Sequence, residues 1–174
     1  MKLDVGCGLV KKPGYVGVDI IPAPGVDVVC DVEKGLPYRD NSVDEIYTSG
    51  FLEHVCKFKF VMEEFWRVLK PHGIIEVKVP HWASAGAHSD FHVRFFGYPS
   101  FRGFTHDPNS RNWASSKADF KIIEDRLVYR TDGISGPYGR LMNWLSNIYP
   151  AYFDNWLARF LPPDELYFKL EVLK

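Results

Sequence analysis

Cysteine is scarce in this chain. Cys7, Cys30 and Cys56 are odd in number and form no CxxC pair, which argues against a disulfide framework and against a cysteine zinc site. Net charge is nearly absent as well. A balance of −1 over 174 residues gives no global attraction to nucleic acid or to an anionic membrane. Long apolar runs are missing: nothing approaches the roughly 20 residues of a membrane span, and no signal peptide precedes the first strand-like stretch, which starts at Lys2. These absences lead us to expect a reduced, cytoplasmic protein with three ordinary thiols. What is present is a composition 46% apolar and 16% aromatic, which excludes disorder and favours a packed globule. The length suits one domain, 1–174, without repeats or a convincing linker.

Hydrophobic periodicity predicts alternating elements. Leu3–Val5, Tyr15–Asp19, Val26–Cys30 and Val43–Thr48 read as short strands. Phe58, Val61, Met62, Phe65, Val68 and Leu69 recur at helical spacing on one face, and Pro71-His72-Gly73 ends that helix. Ile74–Val79 is a β-branched strand, Phe120–Tyr129 another, and Glu165–Leu173 the last. Such alternation implies a mostly parallel sheet with both faces covered. Residues 80–117 lose periodicity and read as a lid. Arg140–Phe160 reads as two aromatic-rich helices broken at Pro150, within an aromatic helical segment 136–161.

The opening stretch LDVGCGLVKKPGYVGVDI has the outline of strand, ligand-cradling loop and second strand. Gly6 and Gly8, with Cys7 between them, allow close backbone approach to a ligand. Asp19 ends the second strand, where a carboxylate can accept from both ribose hydroxyls. A dinucleotide-binding unit places that acid about 20 residues on, after a helix. Here the six residues Leu9–Gly14, near 3.3 Å each when extended, just return across a strand of roughly 17 Å. Without a helix N-terminus a pyrophosphate loses its usual seat. The loop therefore suits S-adenosylmethionine better than NAD or ATP.

LDVGCG at 3–8, VGVDI at 16–20, the stretch CDVEKGLPYRDNSVDEIYTSGFLEHV at 30–55 and EEFWRVLKPHGIIEVKVP at 63–80 resemble, in order, the motifs of class I S-adenosylmethionine-dependent methyltransferases. The resemblance continues more weakly through DFHVRFF and FKIIEDRLVYR. It implies an α/β, Rossmann-like fold: a seven-stranded, mostly parallel sheet with an antiparallel last strand. It also implies that Asp4 contacts the methionine amine, that Ile20 accompanies Asp19 at the ribose, and that Asp31 and Val32 flank adenine. Ser49, Gly50 and Leu52 follow the fourth strand, where the methyl group would face an acceptor. The departures are the missing first helix and the lack of a segment before the first strand, and they leave a non-catalytic cofactor-binding module or a partner-dependent subunit as an alternative.

The acceptor is less legible. No Asn/Asp-Pro-Pro-aromatic segment and no Pro-Cys nucleophile occur, which disfavours base amines and pyrimidine carbons. Direct in-line displacement on a small-molecule oxygen, nitrogen or carbon acceptor remains, with His81, His92 and Glu53 as base candidates. His88, Asp90 and His92 alternate along HSDFH, with His81 nearby, a spacing that would gather metal ligands on one side of an extended chain. The resemblance instead makes His92 a substrate-side residue, and no metal is expected. Trp144, Tyr149, Tyr152, Phe153, Trp156 and Phe160 are read as packing residues of the core or of a homodimer seam.

Overall fold

The computed structural model describes residues 1–105, 116–132 and 136–174. Strands β1 (Lys2–Val5), β2 (Val16–Asp19), β3 (Val28–Val29), β4 (Val43–Ser49), β5 (Leu69–Pro80), β6 (Phe120–Val128) and β7 (Glu165–Val172) form one seven-stranded sheet in the order β3-β2-β1-β4-β5-β7-β6. The pairs β1–β2, β2–β3, β1–β4 and β4–β5 are parallel, while β7 runs antiparallel to both β5 and β6. The order reverses at β1 and β4. In an open α/β sheet the crevice beside such a reversal, outside the carboxyl ends of the strands, is where ligands bind.

Register assigns the two faces of the sheet. One row runs Leu3, Ile46, Ile75 and Leu170 across β1, β4, β5 and β7, and all four are buried in the core. Helix α1 (Phe58–Val68) lays Val61, Met62, Phe65 and Val68 onto the same core. Because the apolar positions recur every third and fourth residue, one face of α1 is buried and the other stays polar. The next row runs Gly17, Asp4, Tyr47, Glu76, Lys169 and Glu124. It is polar, and Lys12 lies across it, its Nζ 4.2 Å from the Tyr47 ring centroid and 2.9 Å from Glu76.

The expectation of a sheet covered on both faces is therefore corrected. Among the described residues, one face is packed and the other is a polar surface. The cause is local. Leu9–Gly14 crosses without a helix, residues 20–27 turn without one, and the β3–β4 connection holds only a 3-10 turn at Val32–Lys34. The alternation in IIEVKV and ELYFKLEV already carried this signal, since strands buried on both faces read as continuous apolar runs.

Other differences are smaller. The third strand shrinks to two residues. Helix α2 spans Gly136–Ser146, and a short α3 (Pro150–Tyr152) passes into a π-helical turn, Phe153–Leu157. Of the aromatic stretch only Phe153 enters the core. Tyr149, Tyr152, Trp156 and Phe160 are exposed, Phe160 by 81%, so the packing expected within the chain does not occur. Within the expected lid, Phe96, Phe101 and Phe104 are buried around Phe58, with ring centroids 5.5–5.8 Å from it. That part is core, whereas Phe91 and Phe95 are exposed. Lid residues 106–115 lie outside the described residues.

Candidate active site

The loop after β1 is held by backbone. The Gly6 N–H donates to Val18 O at 2.8 Å, joining the loop to β2. Gly6 takes φ +74°, and a β-carbon there would sit 2.4 Å from the Phe51 side chain. Only glycine fits, for conformation and for space alike. Asp19 organises the far side of the loop: its Oδ2 accepts from Gly8 N–H at 2.9 Å and its Oδ1 from Ile21 N–H at 3.1 Å. Each carboxylate oxygen keeps a second acceptor site, so the pair can still receive two hydroxyls. Asp31 caps the 3-10 turn, accepting from Glu33 N–H at 3.1 Å. Its side-chain bond from Lys34, with lesser help from Glu33 N–H, holds the carboxyl below the ordinary range despite a contrary desolvation effect.

A cavity of about 290 Å³ brings together Gly6, Asp19, Ile20, Asp31 and Val32, closed by Phe51 and His54. A larger one of about 740 Å³ lies over the polar sheet face and is lined by Asp4, Gly6, Cys7, Lys12, Tyr47 and Ser49, among others. Asp4 is 4% exposed and accepts from Lys12 N–H at 2.6 Å. Burial raises its pKa, and that bond offsets the rise only in part. Burial likewise pushes the Cys7 thiol up. A third cavity, about 300 Å³, is lined by Ser49, Gly50, Glu53, Ser84, His92 and Arg130, among others. Ser49 thus belongs to both of the last two spaces.

Glu53 is 2% exposed, and its Oε2 has no hydrogen-bond partner. Burial raises its pKa; the neighbouring His54 and His92 pull the other way but do not cancel it. His92 comes from the segment after β5 and meets His54 edge to face, ring centroids 4.7 Å apart. The Val93 N–H donates to Glu53 O at 2.9 Å and pins the two segments together.

Two expected site residues stand elsewhere. Leu52 is fully buried in the hydrophobic core beneath the site. His81 is fully buried too: its Nε2 donates to Asp154 Oδ1 at 2.6 Å, and its Nδ1 accepts from Ala83 N–H at 3.1 Å. Both nitrogens are occupied, which withdraws His81 as a base. The alternation of His88, Asp90 and His92 is broken by a turn in which His92 N–H donates to Ser89 O at 3.0 Å, and the His88 ring packs on Phe95 instead. Residues that sequence reasoning passed over include Phe51, whose only signal was its place after the fourth strand, and Ser84, Arg130 and Asp154, which carried none.

The comparisons with known proteins agree with the fold. Residues 3–77 match the methyltransferase-domain family. No curated protein matches the sequence. Among solved structures, a putative methyltransferase in complex with the Haloferax volcanii Trm112 methyltransferase activator is 16% identical, TM-score 0.60, covering 99% of this chain and 82% of that one. An Archaeoglobus fulgidus SAM-dependent methyltransferase is 16% identical, TM-score 0.57, with 98% and 85% covered. One from Mesorhizobium loti is 14% identical, TM-score 0.56, with 98% and 89% covered. Residues 3–77 thus resemble the methyltransferase-domain family, and the whole chain shares the fold of these S-adenosylmethionine-dependent methyltransferases.

Proposed function

We propose that the chain transfers the methyl group of S-adenosylmethionine to a small-molecule acceptor held in the cavity of Ser49, Glu53, Ser84 and His92. The observation that carries this reading is the size and place of that cavity. About 300 Å³ suits a small ligand, and it shares Ser49 with the space beside the glycine loop. In this reading Asp19 receives the ribose hydroxyls, with Ile20 beside it, and Asp31 and Val32 flank adenine. Gly6, Cys7 and Gly8 let the methionine portion approach, Asp4 takes its amine, and Ser49 stands where the methyl group leaves.

The reaction is a direct displacement. The acceptor's lone pair forms the bond to the methyl carbon as the carbon–sulfur bond breaks, and the sulfonium becomes a neutral thioether. Positioning supplies most of the acceleration. Where the acceptor carries a proton, His92 or Glu53 receives it. We also infer that the exposed aromatic face of Tyr149, Tyr152, Trp156 and Phe160 is a homodimer seam, because exposed apolar patches of this kind mark association surfaces. Sedimentation that finds only monomer at high concentration removes that part.

The deciding experiment offers purified chain and S-adenosylmethionine to a panel of small hydroxyl, amine and carbon acceptors. Formation of S-adenosylhomocysteine together with methylated product is expected for at least one. Tight cofactor binding with no transfer to any of them overturns the reading.

A further inference from the structure

Glu53 poses a problem that methyl transfer alone does not resolve. A carboxylate 2% exposed, with one oxygen lacking any partner, is costly to keep. It is not isolated, however. Glu53, His54 and His92 each offer one ligand atom within 4.8 Å of the others. The two imidazoles are also set up as ligands. Nδ1 of His54 lies 3.1 Å from Phe91 O, and Nδ1 of His92 lies 3.1 Å from Ala87 O. A carbonyl oxygen only accepts, so Nδ1 carries the proton in both rings. Nε2 of each is left with a bare lone pair, the tautomer that metal ligation needs and that a second carbonyl contact commonly fixes.

We propose that Glu53, His54 and His92 form a divalent-cation site, two imidazoles and one carboxylate, between the adenosine-side cavity and the acceptor cavity. His54 lines the first, while Glu53 and His92 line the second. Ligands about 2.1 Å from one ion stand at most about 4.2 Å apart, so the observed spread closes with small side-chain rotations. Both histidines are partly or fully exposed and free to make them. Imidazole with carboxylate suits a first-row cation such as Zn²⁺, Fe²⁺ or Mn²⁺. Three protein ligands leave coordination positions open toward the acceptor cavity, where Ser84 Oγ also lacks a partner. A cation there would take acceptor oxygens and lower the pKa of a bound hydroxyl, and this would replace the proton-accepting role given above to His92 or Glu53. The acceptor class it implies carries oxygen donors. That last step rests on the acceptor pocket proposed above; the binding of the cation does not.

The test uses metal alone. Zn²⁺ titrated into chelator-treated protein, followed by calorimetry, is expected to fill one site per chain. His54→Ala, His92→Ala and Glu53→Gln should each weaken it by more than about tenfold. His88→Ala, an exposed ring in the same segment, should leave it unchanged. Co²⁺ should give visible absorption bands in the parent protein that vanish in His92→Ala. The histidine substitutions alter exposed or half-exposed rings, and an unchanged thermal transition certifies their fold. No saturable binding at millimolar zinc, or binding indifferent to His54→Ala and His92→Ala, overturns the site. Metal bound by a chain that methylates no acceptor would sink the proposed function and leave the site standing. Turnover by a chain that binds no metal would do the reverse.

Discussion

His81 and Asp154 share a buried hydrogen bond of 2.6 Å that ties the end of β5 to the π-helical turn after α3. Asp154 also accepts from Trp82 Nε1 at 3.2 Å and from Tyr98 N–H at 3.3 Å. Removing the His81 ring strands the carboxylate, and exchanging that carboxylate for an amide weakens hydrogen bonds to a charged group, each at about 1.5–3 kcal/mol. Asp154→Asn and His81→Ala are therefore expected to lower the urea midpoint sharply, with little effect on affinity for S-adenosylhomocysteine. Burial pushes the Asp154 carboxyl up, but the bonds from His81, Trp82 and Tyr98 outweigh it and leave the pKa lowered. The folded state thus binds that proton less readily than the unfolded chain. Its stabilisation is full above about pH 4 and is lost as pH falls further, toward the folded pKa. Asp154→Asn should flatten that acid limb, and an unchanged limb would refute the assignment.

Gly6→Ala tests the loop. The substitution forces a side chain into the left-handed region, at about 1–2 kcal/mol, and drives a β-carbon into Phe51. Calorimetry with S-adenosylhomocysteine should show affinity reduced by more than about tenfold. Adding Phe51→Ala removes the ring atoms but keeps the Phe51 β-carbon, itself 2.4 Å away, and it should recover only part, because that contact and the backbone strain remain. Full recovery would assign the whole cost to Phe51.

Asp19→Ala leaves two ribose hydroxyls without their acceptor and should cost about 1.5–3 kcal/mol of cofactor affinity. Because Gly8 and Ile21 also donate to Asp19, the same change should loosen the loop and speed amide exchange at Gly8. Unchanged binding would remove Asp19 from the cofactor site.

Glu53→Gln should stabilise the metal-free protein at neutral pH, by about 1 kcal/mol or somewhat more. The sign follows from burial, which raises the folded pKa, while His54 and His92 oppose the rise and Glu165 adds to it. Below the unfolded value both states are protonated, and parent and variant should match. As pH climbs, the unfolded chain ionises first and the parent loses stability relative to the variant. Thermal melts from pH 4 to 8 that run parallel would contradict this.

Residues 82–92 carry few backbone bonds, among them Ala87 N–H to Ser84 O and His92 N–H to Ser89 O. Their amides should exchange fast in the free protein, and cofactor plus acceptor should slow them more than cofactor alone. The stretch from Phe96 to Phe104 should be slow throughout, since its phenyl rings pack on Phe58. Slow exchange at 82–92 in the empty protein would end the lid idea.

The sequence by itself determined what local periodicity and steric rule can determine. The α1 stripe, the β-branched strands and the Gly6–Asp19 unit are each written within a few neighbouring residues. Even the one-faced sheet was legible, in the alternation of IIEVKV, although element order suggested otherwise. Only the tertiary structure decided what depends on partners distant in the chain. His81 and His92 look alike in sequence. One meets Asp154 in the core and has both ring nitrogens engaged; the other meets Glu53 and His54 at a cavity and keeps its Nε2 lone pair. Phe91 and Phe96 likewise differ only in what the fold brings against them. Burial and hydrogen bonding between segments far apart in sequence are set by how the chain closes on itself, and no local pattern encodes which histidine a distant carboxylate will find.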